Sequence, residues 1–413
     1  MPRPAESGGQ RRDRGATAPA ASLLLALVAA GCGGYGGAGA SGDGRPADDV
    51  PLPAVSGAPT PVLERQASGT AALLQAVSPV DENVVWVSGH RGTWGRTLDG
   101  GATWTTGVVP GADTLQFRDV HAHSADIAWL LSAGPGELSR IFQTMDGGAS
   151  WTLQWTNEEP EGFYDCIDFW SAERGAVYGD AVGRELRVLY TVDGGTNWTR
   201  LAGSALPEAL PGEGGFAASG TCLVAGDGGR GWVATGNAAR ARVLRTDDWG
   251  ASWTVYDTPI PAGEAAGLFS VSFRDSVTGV IFGGSLAPPA DPAEPDDPAE
   301  PDDPAENVDP ADAAAGAVAP PRVAVSRDGG ASWDLAGQPT FQGAIFGGAW
   351  VPDSEPAAMV AVAPTGAAWS IDSGTAWLAL DSAAYWGLGF ASPEAGWLVG
   401  PGGRITKVRF DRP

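Results

Sequence analysis

From about residue 60 to the C-terminus, apolar residues come in short runs bounded by Gly, Asp, Ser and Pro, a pattern of strands and turns with no helical period. One kind of run, as at 115–122, 163–169 and 268–273, is followed by a second, as at 84–88, 176–179 and 279–283. A third run leads into a polar turn, and a fourth follows that turn's tryptophan, as at 151–155 and 253–256. Four antiparallel strands recurring every ~45 residues describe a propeller blade.

The polar turn is a repeated motif, S/T-x-D-x-G-x-x-W. It occurs from Thr97 to Trp104, Thr144 to Trp151, Thr191 to Trp198, Thr246 to Trp253, Ser326 to Trp333 and Ser370 to Trp377, with its aspartate at Asp99, Asp146, Asp193, Asp248, Asp328 and Asp372. A hydroxyl and a carboxylate two residues apart bond the backbone of a tight turn, the glycine takes φ > 0, and the tryptophan returns into the sheet. Because all six copies look alike, these aspartates read as structural, not as catalytic or calcium-binding groups.

Six motifs give six blades, and the chain ends supply a seventh. Runs at 386–390, 396–399 and 404–410 repeat the first three strands and stop short of a fourth, a place that the stray strand at 61–66 can fill. The expected fold is therefore all-β, a seven-bladed β-propeller of four-stranded antiparallel blades whose last blade is closed by strands from both ends of the chain.

One interval between motifs, 80 residues, is too long. The excess lies at 290–320, where Asp-Pro-Ala-Glu-Pro-Asp repeats and ten acidic residues fall between Asp291 and Asp312. Proline and like charge make this an extended acidic surface loop within one blade, with calcium binding as the sharper alternative.

The first residues stand outside the fold. Arg3, Arg11, Arg12 and Arg14 precede a short apolar stretch, and Ala29-Ala30-Gly31 precedes Cys32, the arrangement of a lipoprotein-type signal peptide over 1–31 with lipidation at Cys32. An ordinary secretory signal is the alternative, and about 11 apolar residues are too few to span a ~30 Å hydrocarbon core. Residues 32–59, rich in Gly, Ala and Pro, read as a tether to the domain at 60–413. The chain is thus expected to be exported and anchored at a membrane, facing the periplasm or the cell exterior.

Charge narrows the partners. With 25 Lys and Arg against 49 Asp and Glu the net charge is −24, and without residues 1–31 it is 21 against 47, or −26. That balance argues against nucleic acid and against an anionic lipid surface, so the membrane is reached through the anchor only. Beyond Cys32, Cys166 and Cys222 lie in comparable strands of neighbouring repeats; two small buried thiols are the expected state, and a disulfide the alternative that export permits. Three cysteines and three histidines provide no zinc or redox spacing, and no dinucleotide loop, phosphate loop or nucleophile elbow is present. Neither cofactor nor metal is expected.

The repeats, with Phe117-Arg118-Asp119, Ser132-Ala133-Gly134, Phe163-Tyr164-Asp165, the 216–221 segment Phe-Ala-Ala-Ser-Gly-Thr and Gly267-Leu268-Phe269-Ser270 between them, resemble the Asp-box (BNR) propellers related to photosystem II stability/assembly factors. The likeness covers about 60–410. Exported bacterial members of that family often carry the label "oxidoreductase", and many have Gly-Gly-Asp-Tyr where this chain has Gly283-Gly284-Ser285-Leu286.

In such a fold the loops before the first strand and between the second and third open on one face around the central channel. They carry His90, Arg91, Arg118, Asp119, Tyr164, Asp165, Asp180, Glu213, Ser219, Asn237, Ser270 and Trp386. Converging loops on a rigid scaffold form a binding site. Arg118 with Asp119 or Asp165 equally suits hydrogen bonding between blades, and His90 reads as an exposed loop residue. The leading expectation is a monomeric, non-catalytic binding or assembly module that takes a protein segment or small ligand at its channel mouth. A sialidase-like glycoside hydrolase is the alternative, with Arg91, Arg118, Tyr164, Asp165, Asp180 and Glu213 as imitators of its site; a redox protein is the third.

Overall fold

A computed structural model of the chain describes residues 60–286 and 319–411. The signal peptide, Cys32, the tether and nearly all of the acidic insert expected from the sequence lie outside them. Seven four-stranded antiparallel sheets account for every described strand. Their innermost strands are Leu74–Pro79, Phe117–Ala122, Tyr164–Phe169, Leu223–Ala225, Ala266–Phe273, Gly347–Trp350 and Gly387–Ser392, for blades 1 to 7 in turn. Each touches the innermost strand of the blade on either side, and blade 7 touches blade 1, so the ring is closed around an axis.

Blade 7 is built from both chain ends. Thr60–Ala67 pairs with Arg404–Asp411 over eight residues, from Thr60 opposite Asp411 to Ala67 opposite Arg404. This supplies the missing outer strand and covers the edge of Arg404–Asp411 that would otherwise be unpaired. Alternation along the strands sends one set of side chains to each neighbouring blade, and the core is the resulting apolar layers between blades. Trp86, Trp129, Trp232 and Trp397 are fully buried at equivalent places on second strands.

The repeated turns use their residues as their spacing implies. In the first, the Thr97 hydroxyl donates to Asp99 Oδ1 (2.7 Å) and accepts from Gly101 N–H (2.9 Å), while Asp99 accepts from both the N–H (2.8 Å) and the hydroxyl (2.6 Å) of Thr103. Those Thr103 bonds, then the one from Thr97, pull the Asp99 carboxyl down to about 2. Gly101 sits at φ 91, which favours glycine. The fourth turn departs: Trp249 occupies φ 66 where four sister turns have glycine, its ring edge-on to Trp170 at 6.5 Å and under the Arg174 guanidinium at 5.4 Å.

Cys166 and Cys222 are joined as a disulfide between the inner strands of blades 3 and 4, with Cα atoms 5.9 Å apart. This corrects the expectation of two separate thiols: ring closure sets the two strands side by side, with both cysteines at the same height.

Candidate functional site

The site grows from one irregularity. In blades 1, 2, 3 and 5 the pairing of first and second strands skips a residue, leaving Gln75, Arg118, Asp165 and Phe269 as bulges. A bulged residue is re-aimed out of the ladder. Register places Thr221, Phe346 and Trp386 at the same height in blades 4, 6 and 7. The seven form a ring about the axis at the channel mouth, on the face opposite the aspartate turns.

Three of the seven are aromatic. Phe269 stacks on Phe216 at 3.9 Å and lies nearly parallel to Phe346 at 5.7 Å, and Phe346 meets the edge of Trp386 at 5.5 Å. Phe346 and Trp386 are partly exposed. The other four are polar. Arg118 donates to Gln116 Oε1 (3.0 and 2.6 Å) and to the Ala217 carbonyl (3.4 Å), forms no ion pair with any described residue, and has its pKa lowered by burial. His90, beside it, is pushed down to about 4 by burial and then by the charges of Arg118 and Arg91. Arg91 is exposed, at φ 59.

Two aspartates flank Arg118 without neutralising it. Asp119 is buried and accepts from Val120 N–H and, across to blade 3, from Ile167 N–H, both at 2.7 Å. Asp165 is 1 % exposed, in hydrogen-bonding contact with Asp180, with one oxygen unpartnered. Burial raises both Asp119 and Asp165 well above the usual carboxylate range, which weakens them as counter-ions for the guanidinium. Burial also raises Asp180, to about 6.

The channel is not open. The lead-in to blade 4 crosses it: Phe216, Ala217, Ala218 and Ser219 are buried, and Ser219 donates to the Phe346 carbonyl of blade 6 at 2.7 Å. Thr221 links Ser219 (2.7 Å) to Ser270 (2.8 Å), and Ser270 reaches the Gly348 carbonyl (3.1 Å). This plug is pinned at one end by Cys222 and at the other by Glu213, fully buried and paired with Arg242 through both carboxylate oxygens.

Of the residues singled out from sequence, His90, Arg91, Arg118, Asp165 and Trp386 therefore meet at the mouth, with Asp119 and Asp180 against Arg118 and the plug. Ser219 and Ser270 hold the plug in place, and Asn237 braces its base, donating from Nδ2 to the Gly215 carbonyl at 3.4 Å. Glu213 is a structural ion pair. Tyr164 lies between blades 2 and 3, edge-on to Trp155 at 4.9 Å and raised to about 12 by burial, away from the mouth. Gln75, Thr221, Phe269 and Phe346 were missed; aligning the inner-strand segments of the repeats with Arg118 and Asp165 would have found them. Asp165 and Asp180 touch each other, whereas glycosidase carboxyls stand at least ~5 Å apart with the sugar between. Among the described residues no group of three or more His, Cys, Asp or Glu is placed to hold a metal ion.

The sequence matches no protein-family profile, and comparison with curated proteins finds no match. Solved structures do match. YCF48 bound to D1 peptide superposes with a TM-score of 0.54 at 15% identity, over 85% of this chain and 97% of that one. YCF48 from Cyanidioschyzon merolae gives 0.51 at 15% identity, over 84% and 98%. The GH74 xyloglucanase from Xanthomonas campestris gives 0.48 at 15% identity, over 74% of this chain and 45% of that one, too loose a superposition to carry an argument. What the chain shares with YCF48 at this identity is the propeller fold.

Proposed function

We propose that the chain is a non-catalytic, peptide-binding propeller of the assembly-factor kind, exported and held at a membrane surface by lipid on Cys32. The observation that carries the binding reading is Arg118: a largely buried guanidinium, bonded only to neutral acceptors, on the same ring of channel-mouth positions as Phe269, Phe346 and Trp386. Such a mouth suits a segment presenting a carboxylate beside an aromatic or large aliphatic side chain, because the ion pair forms where water is already excluded and the ring face adds area. The peptide bound by YCF48, a protein of similar fold, supports this use of the scaffold.

The test is selection of ten-residue peptides from a random display library on the intact chain. Acid-aromatic peptides should be enriched, with affinity falling about tenfold or more in Arg118→Ala and in Trp386→Ala, the loss of a charged or aromatic contact. Binders indifferent to both substitutions would remove the mouth as the site. The anchor rests on the Arg-rich start, the apolar stretch and the small residues before Cys32. Intact-mass measurement of the mature protein should give a chain beginning at Cys32 with a diacylglyceryl group; an unmodified N-terminus elsewhere would refute it.

A further inference from the structure

Beneath the plug lie two carboxyls that the binding reading does not use as a pair. Asp165 comes from the inner strand of blade 3 and Asp180 from the adjacent strand Gly175–Val182. Both press on the plug's base. Asp180 Oδ1 accepts from Gly215 N–H at 3.0 Å; a Cβ on Gly214 would lie 2.0 Å from that oxygen, and one on Gly215 would lie 2.9 Å from the Asp165 carboxyl. Only two consecutive glycines let the backbone lie on the pair so closely. The second Asp165 oxygen is buried without a partner, and Arg118, the cation that faces it, is bonded instead to Gln116 and to Ala217 of the plug.

We propose that Asp165 and Asp180 form a proton-operated latch on the channel plug: protonated, they clamp residues 214–218; ionised, they loosen that segment and draw Arg118 from the Ala217 carbonyl to the freed carboxylate. The proton leaves to solvent and no other bond changes. Neutral carboxyls can donate to each other and still accept from Gly215 N–H, whereas each added charge is desolvated and, once both are charged, repelled by its neighbour. The direction follows from linkage. Asp180 is raised to about 6, so its stabilising contribution is complete below the ordinary carboxylate range and is lost as pH rises through about 6. Asp165, raised well above that range, follows at higher pH.

The other charged and titratable groups facing the pair are Arg118 from blade 2, with His90 and Arg91 behind it, Tyr178 on the same strand as Asp180, and Glu213 with Arg242 from blade 4. His90 titrates near 4, below the window concerned. Asp119 lies at the other end of the plug, where a Cβ on Gly220 would come within 2.2 Å of its Oδ1.

The latch does not depend on what binds at the mouth, and amide hydrogen exchange of the intact chain tests it without a ligand. Peptides covering 213–221 are followed at about pH 5 and about pH 7.5, corrected for intrinsic exchange rates. Protection of this segment should be about tenfold lower at the higher pH in the wild type and equal at both in Asp180→Asn and in Asp180→Ser, each of which removes the group that titrates between them. Either substitution suffices, so if one fails to fold the other remains the test. Equal protection of the wild type at both pH values, or a pH dependence that survives in the variants, would overturn the proposal; the second outcome would assign the effect to Asp119.

Discussion

Ser373, in the sixth aspartate turn, occupies φ 60, where the first, second, third and fifth turns have Gly100, Gly147, Gly194 and Gly329. A side chain there costs more than the extra freedom glycine has when unfolded, so Ser373→Gly should stabilise the protein by about 0.5–1 kcal/mol. The urea midpoint measures this; an unchanged or lower midpoint would show that the turn carries no strain. Single-residue chemistry of this kind was legible because each turn is bonded within itself. Arg118 was legible only in part: its place near Asp119 and Asp165 follows from sequence, but how weakly those two aspartates serve it as counter-ions depends on how deeply the ring buries them. Tyr164 went the other way. It shares a segment with Asp165, and the bulge at Asp165 sends one side chain to the channel and leaves the other between blades.

At the scale of strands, expectation and structure agree within a residue or two at most ends. The expected run at 163–169 is the strand Tyr164–Phe169, and that at 404–410 is Arg404–Asp411. What periodicity did not reveal is the bulge within the inner strands of blades 1, 2, 3 and 5, since one inserted residue barely alters a pattern of apolar runs. The plug escaped for a related reason. Residues 216–221, small apart from Phe216, resemble an exposed loop, yet 216–219 are buried because ring closure surrounds them with inner strands. The Cys166–Cys222 bond is likewise set by neighbouring strands; across its 56-residue separation a loop-entropy estimate is about 4 kcal/mol.

The whole molecule is a ring whose closure depends on eight residues from the N-terminal side. Removing 60–67 would expose the outer edge of Arg404–Asp411 and strip Gln66 from its contacts with Trp104 (3.2 Å) and the Gly100 carbonyl (3.1 Å). The melting temperature of that deletion should fall by at least about 10 °C, several kcal/mol of lost pairing and burial in a domain of this size; an unchanged melt would mean that the ring does not need its clasp. By itself the sequence determined the repeat, its period, the strand order within a blade and the closing strand, because each depends on residues close together in the chain or on a simple count of copies. The tertiary structure decided which side chains share the channel, that a segment of blade 4 fills it, that the cysteines are bonded, and that two aspartates with carboxyls raised by burial stand beside an arginine that has no ion pair among the described residues. Those properties arise between blades far apart in sequence, where burial and distance, set only when the ring closes, govern charge and contact.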